Sequence, residues 1–213
     1  MAKKIDKNRL LNIREAAIDL ITGKGYAATS IQDIADQANV ATGYLYRHYP
    51  SKEALIKNIY EEKLNDFHDG IFHSLKEAAT VADVINALVQ KLAAMIENEP
   101  EVFRFLFIML HDHHFEIPDA KQVAIRIICK RILNIGKLTG EIPLDLDPEI
   151  IYYTLFSMPF SFFDARLRKI FIEKNVTPID LETLKNICLS ALANNVAISH
   201  TVKRISPNSR PFR

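Results

Sequence analysis

Apolar residues recur at every third or fourth position along nearly the whole chain, and no segment alternates strictly between apolar and polar residues. This spacing is typical of helices that bury one face. It predicts a first helix ending near Gly23, short helices over 31–38 and 42–49, and a long helix from Ser51. Further helices are predicted over 81–97, 100–114, 118–137, 148–174 and 178–203. The predicted fold class is therefore all-α.

Capping residues support several of these helix starts. Ser30 and Asp33 have the spacing of a capping box, in which each side chain accepts a hydrogen bond from the backbone of the other residue. Asp147 and Thr177 each precede a proline, a combination suited to the first turn of a helix. Pro159 lies inside the helix predicted over 148–174, and we expect it to kink or break that helix.

The composition favours a folded, soluble protein. Apolar residues make up 48% and charged residues 25% of the chain, which are ordinary values for a globular protein. Cys129 and Cys188 are too few for a disulfide framework or a four-cysteine zinc site, and we expect both to be buried apolar residues. No secretory signal is seen, and the apolar stretches are shorter than the roughly 20 residues that span a bilayer. We therefore expect a cytoplasmic protein with no membrane partner.

Positive charge is concentrated near the N-terminus, although the whole chain has a formal charge of only +1. Residues 1–60 contain nine basic and six acidic residues, a net of +3, whereas residues 61–213 contain 18 and 20, a net of −2. We predict an N-terminal three-helix domain over 1–52 and a larger helical domain over 53–205. A tail over 206–213 has two prolines and little apolar content and is predicted to be flexible.

The two short helices have the arrangement of a helix-turn-helix. Asn39 lies in the predicted turn between them, and asparagine tolerates the positive φ angle that such a turn requires. At about 100° per residue, Leu45 and Tyr49 share the inward face of the second short helix. The opposite face and its flanks carry groups that suit DNA grooves and phosphates. These residues are Gly43, Tyr44, Tyr46, Arg47 and His48.

Three short motifs occur in the run over 29–56. They are Ser30-Ile31-x-x-Ile34-Ala35, Leu45-Tyr46-Arg47-His48-Tyr49 and Ser51-Lys52-Glu53. In these motifs the run resembles the DNA-binding region of the tetracycline-repressor (TetR) family of transcriptional regulators. The resemblance covers the first 60 residues, and the remaining chain is similar to the family only in its length and helical plan.

The resemblance implies DNA-contacting roles for two sets of residues. Phosphate contacts are implied for Thr29, Ser30, Tyr46, His48 and Lys52. Contacts to the groove or to base edges are implied for Gln32, Thr42, Gly43, Tyr44 and Arg47. Double-stranded DNA is therefore the expected macromolecular partner.

Two later segments, 102–110 and 150–163, are dense in aromatic residues and methionine. Most of these residues must belong to the core, but a mostly apolar pocket between helices would use the same residue types. The resemblance implies that such a pocket binds a small apolar or amphipathic effector. The candidate ligand-binding residues are Phe103, Phe107, His111, Tyr152, Phe156 and Phe160.

The run His111-Asp112-His113-His114-x-Glu116 contains the residue types of a metal site. Histidine is also favoured near the C-terminal end of a helix, where the helix dipole is negative, and His111 can line the predicted pocket. These two interpretations are preferred over a metal site. We therefore expect neither a metal ion nor another cofactor.

The last two long helices carry apolar stripes that can pack within the domain or across a two-fold axis. The resemblance implies a homodimer through a four-helix bundle, which would present two recognition helices to a palindromic operator. The stripe residues include Ile150, Tyr153, Leu184 and Ile187.

The expected function is that of a ligand-responsive, DNA-binding transcriptional regulator. We expect a repressor that a small, largely apolar ligand releases from a palindromic operator. The chain lacks G-x-S-x-G, P-loop, G-x-G-x-x-G and H-E-x-x-H motifs, so an enzyme is not expected. A helical interaction module with no DNA role is the remaining alternative.

Overall fold

The computed structural model describes residues 7–170 and 175–193, and these residues form helices and connecting turns with no β-strand. The helices are α1 (Lys7–Lys24), α2 (Ile31–Gln37), α3 (Thr42–His48), α4 (Lys52–Glu77), α5 (Val81–Asn98), α6 (Pro100–His111), α7 (Asp119–Thr139), α8 (Pro148–Tyr152), α9 (Met158–Leu167) and α10 (Pro178–Leu192). A π-helical segment, Tyr153–Ser157, joins α8 to α9. The all-α prediction is confirmed.

The predicted helix starts have the expected capping hydrogen bonds. The Asp33 N–H donates to the Ser30 hydroxyl at 3.1 Å, and the Ser30 N–H donates to the Asp33 carboxylate at 2.8 Å. Thr177 and Asp180 form another capping box at the start of α10. The Asp147 carboxylate accepts the N–H of Glu149 at 2.8 Å at the start of α8. Local side-chain chemistry therefore sets these boundaries.

The helix predicted over 148–174 is neither uniform nor as long as expected. Its middle turn, Tyr153–Ser157, is π-helical, and Pro159 follows in the first turn of α9. A proline removes one N–H donor and clashes with the carbonyl four residues earlier, and a wider turn relieves both effects. α9 ends at Leu167, and Lys169 has a φ of 53°. Residues 171–174 lie outside the described part of the chain.

Two other predicted helix ends also differ from the structure. α6 ends at His111 rather than at residue 114, because the chain turns at Asp112, where the backbone is extended. The described part of α10 ends at Leu192. The predicted continuation to residue 203 and the predicted flexible tail over 206–213 lie outside the described residues.

Helix α4 runs through the core of the protein. Its 26 residues give it a length of about 39 Å at 1.5 Å per residue. Leu55 and Ile59 near its start and Phe67 and Ile71 further along are all buried. α4 packs against α5, α6 and α7, while α1 packs against α2 and α6. The predicted boundary after residue 52 coincides with the start of α4, and the division into domains stays a prediction.

Both cysteines, Cys129 and Cys188, are buried free thiols, as expected. Burial raises the pKa of each thiol to about 11, so neither is a reactive thiolate at neutral pH. Within the described residues, no helix combines the length and apolar character that a membrane span requires.

Candidate nucleic-acid interface and ligand site

The turn between α2 and α3 is built around Asn39. Its φ of 53° is the left-handed conformation expected from the sequence. The Val40 N–H donates to the Ala35 carbonyl at 2.9 Å and so closes the turn. Leu45 on the inward face of α3 is fully buried, and Tyr49 at its end is half-buried. α2, the turn and α3 therefore form the predicted helix-turn-helix.

The outward face of α3 is open to solvent. Gly43, Arg47 and His48 are exposed, and Tyr46 is 52% exposed. A Cβ atom added to Gly43 would meet no atom within 4 Å, so another molecule can approach this backbone closely. The Arg47 Nε donates to the Gly43 carbonyl at 3.4 Å, which uses one of the five N–H donors of the guanidinium.

Gln32 and Thr42 connect the two helices of the motif. The Thr42 hydroxyl donates to the Gln32 side-chain oxygen at 2.7 Å. The Gln32 amide nitrogen in turn donates to the Asp36 carboxylate at 2.7 Å, one turn further along α2. This chain of hydrogen bonds fixes the position of Gln32 beside the start of α3. Two of the five residues predicted to contact the groove or base edges, Gln32 and Thr42, are thus brought together.

The predicted phosphate-contacting residues Thr29 and Ser30 differ in their surroundings. Thr29 is only 2% exposed, and its hydroxyl donates to the Gly25 carbonyl at 2.8 Å. Ser30 is exposed, although its hydroxyl is hydrogen-bonded to the Asp33 carboxylate at 2.7 Å. Thr29 therefore stabilises the loop between α1 and α2, while Ser30 lies on the surface at the start of α2.

Lys52 ties the start of α4 to the loop between α1 and α2. Its ammonium donates to the carbonyls of Tyr26 and Thr29, both at 2.9 Å. It also lies 4.2 Å from the centroid of the Tyr26 ring. Burial lowers the pKa of Lys52, and the negative charge of Asp112 opposes this effect. Lys52 thus has a structural role within the N-terminal helices, and its predicted phosphate contact stays a prediction.

Tyr44 is surrounded by cationic and aromatic groups. The guanidinium carbons of Arg9 and Arg47 lie 5.8 and 5.5 Å from the centroid of the Tyr44 ring. The His48 ring centroid is 4.8 Å from that of Tyr44. Tyr44 itself is half-buried and packs against the core. Its ring is therefore less available to a partner than the exposed Tyr46.

An aromatic contact joins the N-terminal helices to the rest of the chain. Phe115, in the turn after α6, is 7% exposed. Its ring centroid lies 5.8 Å from that of Tyr26 and 5.1 Å from that of Tyr60 on α4, both in edge-on geometry. The nearby charge of Asp112 acts on Tyr26 and Lys52. Phe115 and Asp112 therefore link the end of α6 to the loop between α1 and α2.

The predicted ligand-binding residues fall into two groups by their ring contacts. The Phe103 ring stacks on the Phe107 and Phe160 rings at centroid distances of 6.4 and 5.2 Å, within the core. Tyr152 and Phe156 stack on each other at 6.0 Å. His111 is exposed at the end of α6 and belongs to the first group, with its ring centroid 4.3 Å from that of Phe107 and its Nδ1 2.7 Å from the Phe107 carbonyl oxygen. A ligand-binding role for these residues stays a prediction.

A cleft of about 460 Å³ lies between α7 and α8. Tyr152 lines it, together with Ile125 and Cys129. The cations Arg126 and Lys130 lie on its α7 side, and the acidic residues Asp147 and Glu149 lie on its α8 side. A second cleft of about 900 Å³ lies between α5, α9 and α10. The other five predicted ligand residues, Phe103, Phe107, His111, Phe156 and Phe160, line neither of these two clefts of the described chain.

Comparison with known proteins identifies the helix-turn-helix. Residues 13–59 match the family described as "Bacterial regulatory proteins, tetR family". Over 152 residues, the chain is 35% identical to the HTH-type transcriptional repressor KstR2 of Rhodococcus jostii strain RHA1, an alignment that covers 68% of this chain and 72% of that repressor. The chain belongs to the TetR family. The protein is therefore a DNA-binding transcriptional regulator of the TetR type.

Solved TetR-family structures have the same fold. A TetR-family transcription regulator from Marinobacter aquaeolei VT8 superposes with a TM-score of 0.72 at 20% identity, over 88% of this chain and 97% of that one. The regulator FadR from Bacillus subtilis, solved in complex with stearoyl-CoA, superposes with a TM-score of 0.61 at 23% identity, over 87% and 98% of the two chains. These similarities extend the family fold beyond the helix-turn-helix.

The histidine run of this TetR-family chain does not assemble a metal site. The His114 Nδ1 and N–H both lie near the Asp112 carboxylate, at 3.1 and 2.8 Å, whereas His111 faces the carbonyl of Phe107. Within the described residues, no group of three or more histidine, cysteine or acidic side chains is placed to hold a metal ion.

Two residues of this TetR-family chain were not singled out by sequence reasoning. Arg9 reaches Tyr44 from α1, and only the tertiary packing of α1 beside α3 brings them together. His68 is 5% exposed in the middle of α4, and burial lowers its pKa to about 4. The spacing Leu64, Phe67, His68, Ile71 places His68 on the apolar face of α4, so helical periodicity was a usable signal for its burial.

Proposed function

We propose that this regulator is a cytoplasmic homodimeric repressor whose two α3 helices bind a palindromic operator and which a small, largely apolar or amphipathic ligand releases. The observation that carries the proposal is the exposed outward face of α3. This face carries the backbone of Gly43 and the side chains of Tyr46, Arg47 and His48. The opposite face of α3 packs into the core. The major groove admits a helix, and its base edges and phosphates are bound by such groups.

A dimer is supported by apolar side chains exposed near the end of the chain. Ile150 is 42%, Tyr153 54% and Ile187 49% exposed. The segments that carry them are neighbours, since the Cys188 thiol lies 3.5 Å from the Thr154 carbonyl oxygen. A two-fold partner would cover these residues and complete a four-helix bundle. Such a dimer places two copies of α3 on successive turns of DNA, roughly 34–36 Å apart.

The ligand site proposed here is the α7–α8 cleft. Its volume of about 460 Å³ lies within the roughly 300–1,000 Å³ of small-molecule sites. Ile125, Cys129 and Tyr152 supply apolar surface, while Arg126 and Lys130 are exposed cations with no hydrogen-bond or ion-pair partner among the described residues. The carboxylates of Asp147 and Glu149 line the α8 side, so an amphipathic ligand with an acidic group fits with that group on the α7 side, beside Arg126 and Lys130. The stearoyl-CoA bound to FadR of Bacillus subtilis is a ligand of that chemical type.

Release from DNA requires that ligand binding in the cleft changes the position of the helix-turn-helix. The path proposed here runs from α7, which lines the cleft and packs against α4, to Tyr60 on α4, and then through the Phe115 ring to the Tyr26 ring. Lys52 then connects the Tyr26 loop to the start of α4. A ligand that favours one position of α7 changes the placement of α3, by a coupling energy typically of about 1–3 kcal/mol.

The experiment that tests release measures binding to a duplex selected from a random pool by the wild-type protein. Anisotropy of the labelled duplex is followed while oleate or stearoyl-CoA is added. We expect affinity for DNA to fall by about 5- to 150-fold, the range of typical coupling energies. A variant with Arg126→Ala and Lys130→Ala should bind DNA normally and respond less to either ligand. Unchanged DNA affinity at saturating ligand would contradict ligand release by this class of compound.

A further inference from the structure

The Tyr44 ring holds together cations from two different helices. Arg9 belongs to the first turns of α1, and Arg47 to the last turn of α3. Both guanidinium carbons lie within 6 Å of the ring centroid, at 5.8 and 5.5 Å. This is the distance over which a guanidinium is attracted to the electron-rich face of an aromatic ring. The Tyr44 cluster, defined as Tyr44, Arg9, Arg47 and His48, thus joins α1 to the recognition helix.

The members of the Tyr44 cluster differ in exposure. Tyr44 is half-buried and packs against the core, whereas Arg9, Arg47 and His48 are all exposed. The ring therefore forms the base of the cluster, and the cationic groups form its surface. That surface adjoins the open backbone of Gly43, so any DNA bound by α3 meets these cations as well.

We propose that Tyr44 is a positioning residue whose ring holds the Arg9 and Arg47 guanidiniums against the DNA, and that Arg9 is a phosphate-binding residue on α1. This inference rests on the proposed operator binding by α3 and changes the part that Tyr44 plays in it. The resemblance implied that Tyr44 contacts bases. In the structure its ring instead contacts the two guanidiniums, and these are the groups that would reach the DNA. Arginine suits the role of Arg9 because its planar fork both stacks on aromatic rings and binds phosphate bidentately.

Removing the Tyr44 hydroxyl and removing the Tyr44 ring should have different effects on DNA binding. Tyr44→Phe keeps the ring and should bind the selected duplex with wild-type affinity and sequence preference. Tyr44→Leu removes the ring and with it the contact that both guanidiniums share. If Tyr44→Phe changes the sequence that is selected from a random pool, the hydroxyl reads DNA and the positioning role is wrong.

Arg9 is tested by the salt dependence of binding. Each neutralised phosphate contributes about 0.9 to the slope of log affinity against log salt concentration. Arg9→Ala should lower this slope by about 1.8, because each protomer of the dimer loses one phosphate contact, and should weaken selected and scrambled duplexes alike, whereas Arg9→Lys should restore the slope. Lys76→Ala is the matched control, because Lys76 is an exposed cation at the far end of α4, about 36 Å from the first residue of that helix. An unchanged slope for Arg9→Ala would overturn the phosphate contact.

A double-mutant cycle tests whether the ring and Arg9 act together. Arg9→Ala should cost about two- to fivefold less affinity in the Tyr44→Leu background than in the wild-type background, the range expected for an exposed cation–π contact. Strictly additive losses would overturn the positioning role. Circular dichroism of each variant separates these outcomes from unfolding. If the wild-type protein itself shows no salt-dependent DNA binding, the proposed function fails rather than the cluster.

Discussion

At the scale of single residues, Gly43 lowers the stability of α3 and leaves open space beside the helix backbone. Glycine inside a helix destabilises it by up to about 1 kcal/mol relative to alanine. A Cβ atom at Gly43 would meet nothing within 4 Å, so packing within the protein does not require glycine there. Close approach of DNA to this backbone supplies a reason for glycine at this position.

Gly43→Ala is expected to separate folding from DNA binding. The free energy of unfolding should stay the same or rise by up to about 1 kcal/mol, while binding to the selected duplex weakens by about 1–3 kcal/mol. Urea unfolding and duplex anisotropy measure the two effects. Gly136→Ala is the matched control for stability, because its Cβ would collide with the side chain of Ile142. A stabilised Gly43→Ala protein with unchanged DNA affinity would contradict close backbone approach.

Because the pKa of His68 is lowered in the folded protein, we expect the free energy of unfolding to depend on pH. Burial and, to a smaller extent, the charge of Lys121 lower the pKa of His68 from 6.5 to about 4, and the charge of Asp69 opposes both effects. The unfolded chain therefore takes up a proton at His68 at a higher pH than the folded protein does. This contribution to stability is present above pH 6.5 and is lost as the pH falls towards 4.

His68→Leu should remove this part of the pH dependence. Between pH 7.5 and pH 5, the wild-type protein should lose on the order of 2 kcal/mol more unfolding free energy than His68→Leu. Urea unfolding at the two pH values gives the comparison. His73→Leu is the control on the same helix, because His73 is exposed. Equal pH dependence of wild type and His68→Leu would show that His68 does not carry the effect.

At the scale of elements, local chemistry made most helix starts predictable. The capping box at Ser30 and the positive φ of Asn39 follow from side chains close in sequence, and both occur as expected. The π-helical turn before Pro159 and the early end of α9 were not predicted. A proline in a helix requires an adjustment, but tertiary packing decides whether the helix kinks, breaks or widens.

The candidate site was predictable in part for the same reason. The outward face of α3 follows from helical periodicity within one short segment, and Gly43, Arg47 and His48 are exposed there. The placement of Arg9 beside Tyr44 and of Thr29 in the interior depends on how α1 packs against α2 and α3. Helical periodicity gives the face of a residue but not its partner on another helix.

Lys52 predicts a stability effect at the junction of α4 with the loop between α1 and α2. Lys52→Ala leaves the carbonyls of Tyr26 and Thr29 without their charged donor. The free energy of unfolding, measured by urea unfolding, should therefore fall by about 1–3 kcal/mol. Affinity should decrease for all DNA sequences alike, since both the predicted phosphate contact of Lys52 and the placement of α2 are affected. Lys57→Ala, an exposed lysine on the same helix, should change stability little. Wild-type stability of Lys52→Ala would contradict the structural role.

At the scale of the whole molecule, the uneven charge of the chain agrees with its organisation. The N-terminal 60 residues have a net charge of +3 and the remainder a net of −2. A dimer carries two copies of the positive unit, yet a charge of this size gives weak sequence-independent attraction. On the proposed mode of binding, positioned contacts from α3 and from Arg9 beside it then supply most of the affinity.

The dimer is tested at the exposed apolar residues of the last helices. Tyr153→Glu combined with Ile187→Glu should convert the protein to a monomer, because two charges would lie in the proposed apolar interface. Light scattering coupled to size exclusion measures the mass. Leu144→Glu is the control, since Leu144 is 75% exposed in the loop before α8. A double variant that remains dimeric would place the interface elsewhere.

The central claim is that the outward face of α3 reads a DNA sequence. The most direct measurement compares the affinities of the wild-type protein and of Arg47→Ala for a duplex selected by the wild type and for a scrambled duplex of the same composition. The wild type should prefer the selected duplex by about 1,000-fold or more, and Arg47→Ala should lose about 1–3 kcal/mol of that preference. Equal affinity of the wild-type protein for both duplexes at every salt concentration would contradict the claim.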